Sequence, residues 1–307
     1  MCRLRSDSEA LSSCYFAFGL SVVSGVLLPE LGVREVDAPP QVEIGAGVVP
    51  CELEERIAKG GLFEVGRGQF LLRLDSVARY LATNGDRIVI DAVPGADEGA
   101  VRLFLLGSVF GALLHQRGLL PLHASAIETS KGAVLFAGRS GMGKSALAAA
   151  FHARGYRVVS DEICAVHSNS GGSVVWPAFP RLLLWPDVIE QLGLWTPEVR
   201  PARANLKKHH VPLGKGFASE VLPVHAIYIL TVTNKRDFGI SRIAGVDKVP
   251  ELIGFTLRPQ FLGGMNSGNH FLQVAAMARH VSISHLAQPS TRSLRQTADF
   301  LERDFNR

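Results

Sequence analysis

Residues 138–145 of this chain read Gly-Arg-Ser-Gly-Met-Gly-Lys-Ser, which is a glycine, four residues and then Gly-Lys-Ser. Residues 133–137, just before it, are an apolar run typical of a buried strand, and residues 145–151 have a composition typical of a helix. Glycines between a strand and a helix let backbone N–H groups curl around a polyphosphate, and the helix N-terminus adds partial positive charge. The stretch therefore predicts a phosphate-binding loop within an α/β fold.

The residue types in this loop indicate the ligands. Lys144 is expected to reach the β- and γ-phosphates of a nucleotide, and the Ser145 hydroxyl is expected to coordinate Mg²⁺. We therefore predict ATP and Mg²⁺ as cofactors. The predicted nucleotide contacts are Gly138, Arg139, Ser140, Gly141, Met142, Gly143, Lys144, Ser145 and Ala146.

The composition limits the class of protein and the kinds of partner. A chain of 307 residues with 47% hydrophobic and 20% charged residues is globular and long enough for two domains. A net charge of +4 suits an anionic ligand, and no dense Lys/Arg run indicates a nucleic-acid partner. No apolar run approaches the roughly 20 residues that span a bilayer, so no membrane partner is expected. The four cysteines, Cys2, Cys14, Cys51 and Cys164, lack metal-ligand spacing, which favours reduced thiols in a cytoplasmic protein.

Two domains are predicted. Residues 1–100 alternate strand-like runs with Pro and Gly turns, which indicates a smaller, strand-rich α+β module for docking or scaffolding. Residues 101–307 are predicted to form a P-loop catalytic domain that opens with a helix over 101–116. Within the first module we expect strands at 16–23, 41–45, 62–65, 69–74 and 87–91, and a helical turn at 77–81.

The order of elements around the loop suggests further site residues. His123 lies in a strand-like run before the P-loop strand, and a hairpin there would bring it close to the phosphates. Asp161 and Glu162 end the strand after the P-loop helix, where a carboxylate can bind Mg²⁺ or accept a proton from an attacking hydroxyl. A structural histidine and an ordinary polar strand end remain the alternatives for these positions.

Cations further along the chain are weaker candidates. Arg181 is isolated in an apolar run and is a candidate to face the phosphates.

A helix over 187–193 is expected to be capped by Asp187. Residues 195–216 predict a long, loop-rich segment in which Lys207 and Lys208 grip substrate or nucleotide, or are simply solvated, as the histidines at 209 and 210 are expected to be.

His123, the loop at 138–145 and the run Gly-Tyr-Arg-Val-Val-Ser-Asp-Glu at 155–162 follow one another as in the catalytic domain of bacterial HPr kinase/phosphorylase. The chain resembles that family over about residues 105–290, and the domain is also similar to the core of ATP-dependent phosphoenolpyruvate carboxykinases. The short gap between Lys144 and the acidic pair is the most specific part of the resemblance. The chain has Asp-Glu where the family usually has Asp-Asp.

The resemblance implies a cytoplasmic serine kinase that uses ATP and Mg²⁺, acts on a peptide or small protein and is compatible with a homo-oligomer. By position, Asp161 would accept the proton of the substrate serine, His123 would lie beside the γ-phosphate, and Ser145 and Glu162 would hold Mg²⁺. Arg181 and Arg258 would stabilise transition-state charge.

Short runs at 18–20, 28–31 and 119–123 are similar to kinases that phosphorylate lasso-peptide precursors. A ribosomally made precursor peptide is therefore the acceptor that this part of the resemblance implies. A small-molecule kinase on the same core and a non-catalytic nucleotide-binding regulatory protein remain the alternatives.

Overall fold

The computed structural model describes residues 13–32, 39–264 and 267–306, so Cys2 lies outside the described residues. The protein has a mixed α/β fold. The chain divides into two compact units, and each returns to the other's sequence range. Unit 1 comprises Met1–Leu119, Ala202–Leu206 and Arg258–His270, and unit 2 comprises Leu120–Pro201, Lys207–Leu257 and Phe271–Arg307.

Unit 1 is built on one large sheet. Its strands are β1 (Ser13–Ala17), β2 (Leu20–Ser24), β3 (Val42–Ala46), β4 (Arg56–Lys59), β5 (Phe63–Gly66), β6 (Gln69–Leu74), β7 (Ala78–Thr83) and β8 (Arg87–Ala92). They lie in the order β1-β2-β3-β8-β7-β6-β5-β4. A helix follows as α1 (Glu98–Phe104), a π-helical turn (Leu105–Val109) and α2 (Phe110–Gln116).

Two local predictions in unit 1 are wrong. The run at 16–23 is a hairpin and not one strand, because Phe18 and Gly19, with φ of 55° and 76°, form the turn between β1 and β2. The run at 77–81 lies in β7, where Ala78, Tyr80 and Ala82 alternate into the core. Pairing with β6 and β8 on both sides overrides its weak helical tendency.

The helix from Glu98 to Gln116, which we placed at the start of the second domain, belongs to unit 1. The Tyr80 hydroxyl donates to the Val101 carbonyl at 2.9 Å, and Arg102 pairs with Glu30 at 2.9 Å. By length and composition this helix could also cross a membrane, but 67% of it is buried inside the protein, and core helices pass the same test. These contacts explain why unit 1 extends beyond residue 100.

Glu64 on β5 is fully buried among cations. Its carboxylate accepts hydrogen bonds from the Leu53 N–H at 2.8 Å, from Arg73 at 2.9 Å and from Arg56 at 3.2 Å, and Lys59 lies 3.6 Å away. Burial alone raises the pKa of Glu64, but these bonds favour the carboxylate more strongly and lower the pKa from 4.5 to about 2. The ionised form therefore stabilises unit 1.

Replacing Glu64 by Gln is expected to destabilise unit 1 by about 2 kcal/mol at pH 7, because three cations lose their buried partner. Since the folded pKa lies below the unfolded 4.5, this contribution is complete above pH 4.5 and disappears as the pH falls toward 2. Urea unfolding at several pH values measures it. Glu52→Gln, at an exposed carboxylate 4.0 Å from Lys59, is the matched control. A wild-type-like midpoint for Glu64→Gln at pH 7 contradicts the prediction.

Unit 2 contains the glycine-rich loop at 138–145. Its strands are β9 (Leu120–Leu122), β10 (Ala124–Thr129), β11 (Gly132–Ala137), β12 (Val158–Ser160), β13 (Cys164–Asn169), β14 (Gly172–Trp176), β15 (Arg181–Leu184), β17 (Leu206–Pro212), β18 (Leu222–Thr233), β19 (Gly239–Ile243) and β20 (Ser282–Pro289). The intervening β16 (Arg200–Arg203) and the first residue of β17 lie at the unit boundary. The helices are α3 (Lys144–His152), α4 (Pro186–Leu192), α5 (Lys248–Gly254) and α7 (Leu294–Phe305), together with α6 (Ser267–His280) from Phe271 onward.

The main sheet of unit 2 is mixed. Its strands follow the order β12-β10-β11-β18-β14-β13-β9, with β20 beside β18 and β19 beside β20. Strands β11, β18 and β20 are parallel neighbours, and α3 packs over β10 and β11 with Phe136 and Phe151 stacked 5.5 Å apart. Strand β15 pairs separately with β17.

Two predictions in unit 2 need correction. Residues 195–216 are not a loop-rich segment, because β16 and β17 occupy half of it and β17 pairs with β15. Helix α4 is not capped by Asp187, since Trp185 holds the cap position with extended backbone and Pro186 opens the helix.

Candidate functional site

The loop between β11 and α3 has the geometry of a phosphate cradle. Gly138, Gly141 and Gly143 have φ of 146°, 85° and 91°, in a region that disfavours residues with side chains. The Lys144 amine donates to the carbonyls of Gly138 at 2.8 Å and Arg139 at 3.3 Å. The loop therefore folds around its own lysine and places the amine at its centre.

Sheet topology brings the other candidates to the same edge. Strand β10 runs antiparallel to both β11 and β12, so the carboxyl ends of β11 and β12 meet where β10 begins. The register pairs Ala124 with Ala137, which places His123 level with Gly138. The Phe255 carbonyl accepts from the His123 N–H at 2.8 Å. His123 therefore directly precedes β10, at the sheet edge where the loop begins.

Asp161 directly follows β12 and is held firmly. Its side chain is only 2% exposed, with Oδ1 accepting from the Ser125 hydroxyl at 2.6 Å and Oδ2 from the Leu183 N–H at 2.9 Å. A carboxylate has about four lone-pair sites, so two bonds fix its orientation and still leave acceptor capacity. Ser125 was missed by the sequence reasoning, although its spacing from His123 puts both on one face of the strand.

Glu162 has an unusual backbone. Its φ of 71° is left-handed, and the Ser160 hydroxyl donates to the Ile163 carbonyl across this turn. About one third of the side chain is exposed, and it pairs with Arg181 at 3.5 Å. Burial raises the pKa of Glu162, and the Arg181 guanidinium opposes that shift. Strained backbone next to a charged pair is a common feature of functional sites.

Arg181 connects the acidic pair to β15. It is 5% exposed, and its guanidinium carbon lies 5.5 Å from the centre of the Phe179 ring. Its Nε has no hydrogen-bond partner among the described residues. Two of the predicted site residues, Arg181 and Glu162, are thus brought together.

The charges of the site influence one another. Burial lowers the pKa of Lys144. The carboxylates of Asp161 and Glu162 raise this pKa, and the Lys208 ammonium lowers it. Carboxylates favour the ammonium form and a second ammonium disfavours it. Lys144 therefore lies within electrostatic reach of Asp161, Glu162 and Lys208.

The remaining predicted residues divide into two groups. Arg139 and Ser140 are exposed at the loop, and Met142, Ser145 and Ala146 are half-buried there. Arg258 belongs to unit 1, where its φ is 51°, so it is not part of the set that unit 2 assembles. Nothing in the sequence indicates that Arg258 belongs to unit 1, because Arg258 is far from the loop along the chain.

The donor set fits Mg²⁺. Ser145 lies in the first turn of α3, and the Glu162 carboxylate is partly exposed and within electrostatic reach of Lys144. Hard oxygen donors of this kind suit Mg²⁺, which usually takes only one or two carboxylates together with phosphate oxygens and water. The described part of the chain has no cluster of three or more His, Cys, Asp or Glu side chains that could hold a metal ion by themselves.

Comparison with known proteins gives only distant structural likenesses. No protein-family model matches the chain, and no curated protein matches it. The chain is similar to the HPr(Ser) kinase/phosphatase from Coxiella burnetii, with 15% identity over 60% of this chain and 95% of that chain, at a TM-score of 0.33. At that score the likeness carries no argument about activity, so the function must be inferred from the site.

Proposed function

We propose that this protein is a kinase that transfers the γ-phosphate of ATP to a serine hydroxyl of a peptide or small protein. One observation carries the proposal: a buried, oriented carboxylate, Asp161, shares the sheet edge of the phosphate loop and interacts electrostatically with Lys144. A protein that only binds nucleotide needs the loop and a ligand for Mg²⁺, but it does not need a second, oriented carboxylate that can accept a proton.

Each side chain then has a part in the transfer. The loop N–H groups and Lys144 hold the β- and γ-phosphates, and the Lys144 amine exchanges its loop carbonyls for phosphate oxygens. Asp161, fixed by Ser125 and Leu183, accepts the proton of the incoming hydroxyl. The serine oxygen bonds to the γ-phosphorus, the bond to the β-phosphate oxygen breaks, and ADP leaves.

The remaining groups of the site would compensate the negative charge of the phosphates. Mg²⁺ held by Ser145 and Glu162 would neutralise charge on the β- and γ-phosphates. Arg181, which already contacts Glu162 at 3.5 Å, adds a buried cation on the same side. His123 lies level with the start of the loop and borders the space that the γ-phosphate would occupy.

The direct assay is incubation with Mg·ATP and serine-containing peptides, including precursor peptides of the lasso type. The expected result is a mass gain of about 80 daltons, one phosphoryl group, on the peptide. The matched control is the same peptide with its serine replaced by Ala, which should gain nothing. ATP binding without transfer to any acceptor would favour a regulatory nucleotide-binding protein instead. Transfer to a small hydroxyl compound alone would favour a small-molecule kinase.

A further inference from the structure

The sheet of β15 and β17 has two different faces. Leu182 and Leu184 of β15 and Val211 of β17 are buried in the same apolar cluster as Leu147 and Phe151 of α3. Side chains alternate along a strand, so Arg181, Leu183 and Trp185 point to the opposite face. This face borders the site, because Arg181 pairs with Glu162.

Lys208 lies on this site-facing side. In the antiparallel register Leu183 pairs with His210 and Leu184 with His209, so the next pair along is Trp185 with Lys208. Directly opposed residues share a face. The Lys208 amine accordingly lies 5.8 Å from the centre of the Trp185 ring. The strand pairing therefore aims the Lys208 amine at the same side as Arg181.

The Lys208 amine lies within electrostatic reach of the Lys144 ammonium and of the Glu162 carboxylate. Two ammonium groups in electrostatic reach repel each other, and Lys144 is already partly desolvated within its loop. A bound polyphosphate would reverse this repulsion, since both amines would then face negative oxygens. The P-loop lysine reaches the β- and γ-phosphates, so a second cation within electrostatic reach of both Lys144 and Glu162 is suited to bind the terminal phosphate.

We propose that Lys208 is a second phosphate-binding cation that contacts the γ-phosphate of bound ATP, with the Trp185 ring as its positioning residue. This inference rests on the proposed function of the site. It gives β17, a strand that contributes no residue to the glycine-rich loop, a part in binding the nucleotide. The indole is 46% exposed, so its face can hold the lysine stem and leave the amine free to turn toward the phosphate.

The adjacent lysine provides a matched control. Lys207 precedes Lys208 on β17, is exposed and points to the other face of the strand. Both substitutions to Met keep an unbranched apolar stem and remove one positive charge. Lys208→Met therefore tests the position of the charge, whereas Lys207→Met tests its mere presence on this strand.

The measurement is the affinity of the full chain, with Mg²⁺, for a non-hydrolysable ATP analogue and for ADP. Lys208→Met is expected to weaken binding of the analogue about tenfold and to leave ADP affinity within about twofold, because only the analogue carries the γ-phosphate. Lys207→Met should change neither, and Lys208→Arg should retain most of the wild-type preference. Thermal melting of each variant confirms that it is folded.

The outcomes separate the two proposals. If the wild type prefers the analogue and folded Lys208→Met keeps that preference, the role of Lys208 is overturned and the kinase proposal stands. An equal loss for both nucleotides also overturns it. If the wild type binds neither nucleotide, the proposed function and the role of Lys208 fall together.

The positioning role of Trp185 has its own readout. Trp185→Phe should keep the preference for the analogue over ADP, and Trp185→Ala should reduce it by a few-fold. In the Lys208→Met background, Trp185→Ala should have no further effect on that ratio, since the ring acts through the amine. Independent, additive losses would overturn the role of the ring.

Discussion

Replacing Lys144 by Ala is expected to weaken Mg·ATP binding about a hundredfold and to lower phosphoryl transfer by about a further tenfold or more. The amine is enclosed by the loop, where it donates to the carbonyls of Gly138 and Arg139. In a site of low dielectric, one charged hydrogen-bond donor to phosphate contributes more than it does at an open surface. Both binding and transfer should fall, because the lysine contacts phosphate before and during the reaction.

The control for this variant is a lysine at the opposite end of β11, the strand that leads into the loop. Lys131, just before β11, is exposed and donates to the Phe305 carbonyl at 3.2 Å. Lys131→Ala removes the same charge from the same region of the chain, yet leaves the loop intact. Isothermal titration with ATP and a transfer assay on both variants measure the difference. A folded Lys144→Ala protein that binds ATP as tightly as Lys131→Ala would show that the loop does not hold phosphate.

Asp161→Asn is expected to lower transfer about 10²- to 10⁴-fold, the range attributed to a positioned base. ATP affinity should not fall and is expected to rise slightly, because a negative charge beside the phosphates is removed. Asn keeps the size of the side chain but offers one acceptor oxygen to the two donors, Ser125 and Leu183. We therefore also expect a loss of about 1–2 kcal/mol in stability.

Ser125→Ala separates orientation from proton transfer. It removes one of the two bonds that hold Asp161 and keeps the carboxylate, so transfer should fall by only about tenfold. Single-turnover rates and ATP titrations on both variants distinguish the effects. Full activity in Asp161→Asn would mean that another group accepts the proton.

The local sequence pattern predicts the glycine-rich loop together with the strand before it and the helix after it. The glycine spacing at 138–145, the strand before it and the helix after it all lie within one short stretch of chain. The hairpin predicted before the loop also brings His123 close to it, because the order of strands leaves little freedom there. These features depend on neighbours in sequence, which is why they could be predicted.

The rest depended on partners distant in sequence. Residues 206–212 look like a polar loop, and pairing with β15 and β16 makes them a strand, with Lys208 beside Trp185. The run at 77–81 became a strand for the same reason. Ser125 bonds Asp161 across strands that are 36 residues apart, and a single sequence does not show that register.

The central claim is that Asp161 faces the terminal phosphate held by Lys144. A crystal structure with Mg²⁺ and a non-hydrolysable ATP analogue tests it most directly. We expect the Lys144 amine to contact the γ-phosphate, with the Asp161 carboxylate across from it and space between them for a serine hydroxyl. A γ-phosphate that points away from Asp161, with no path for a hydroxyl to reach both, would contradict the account.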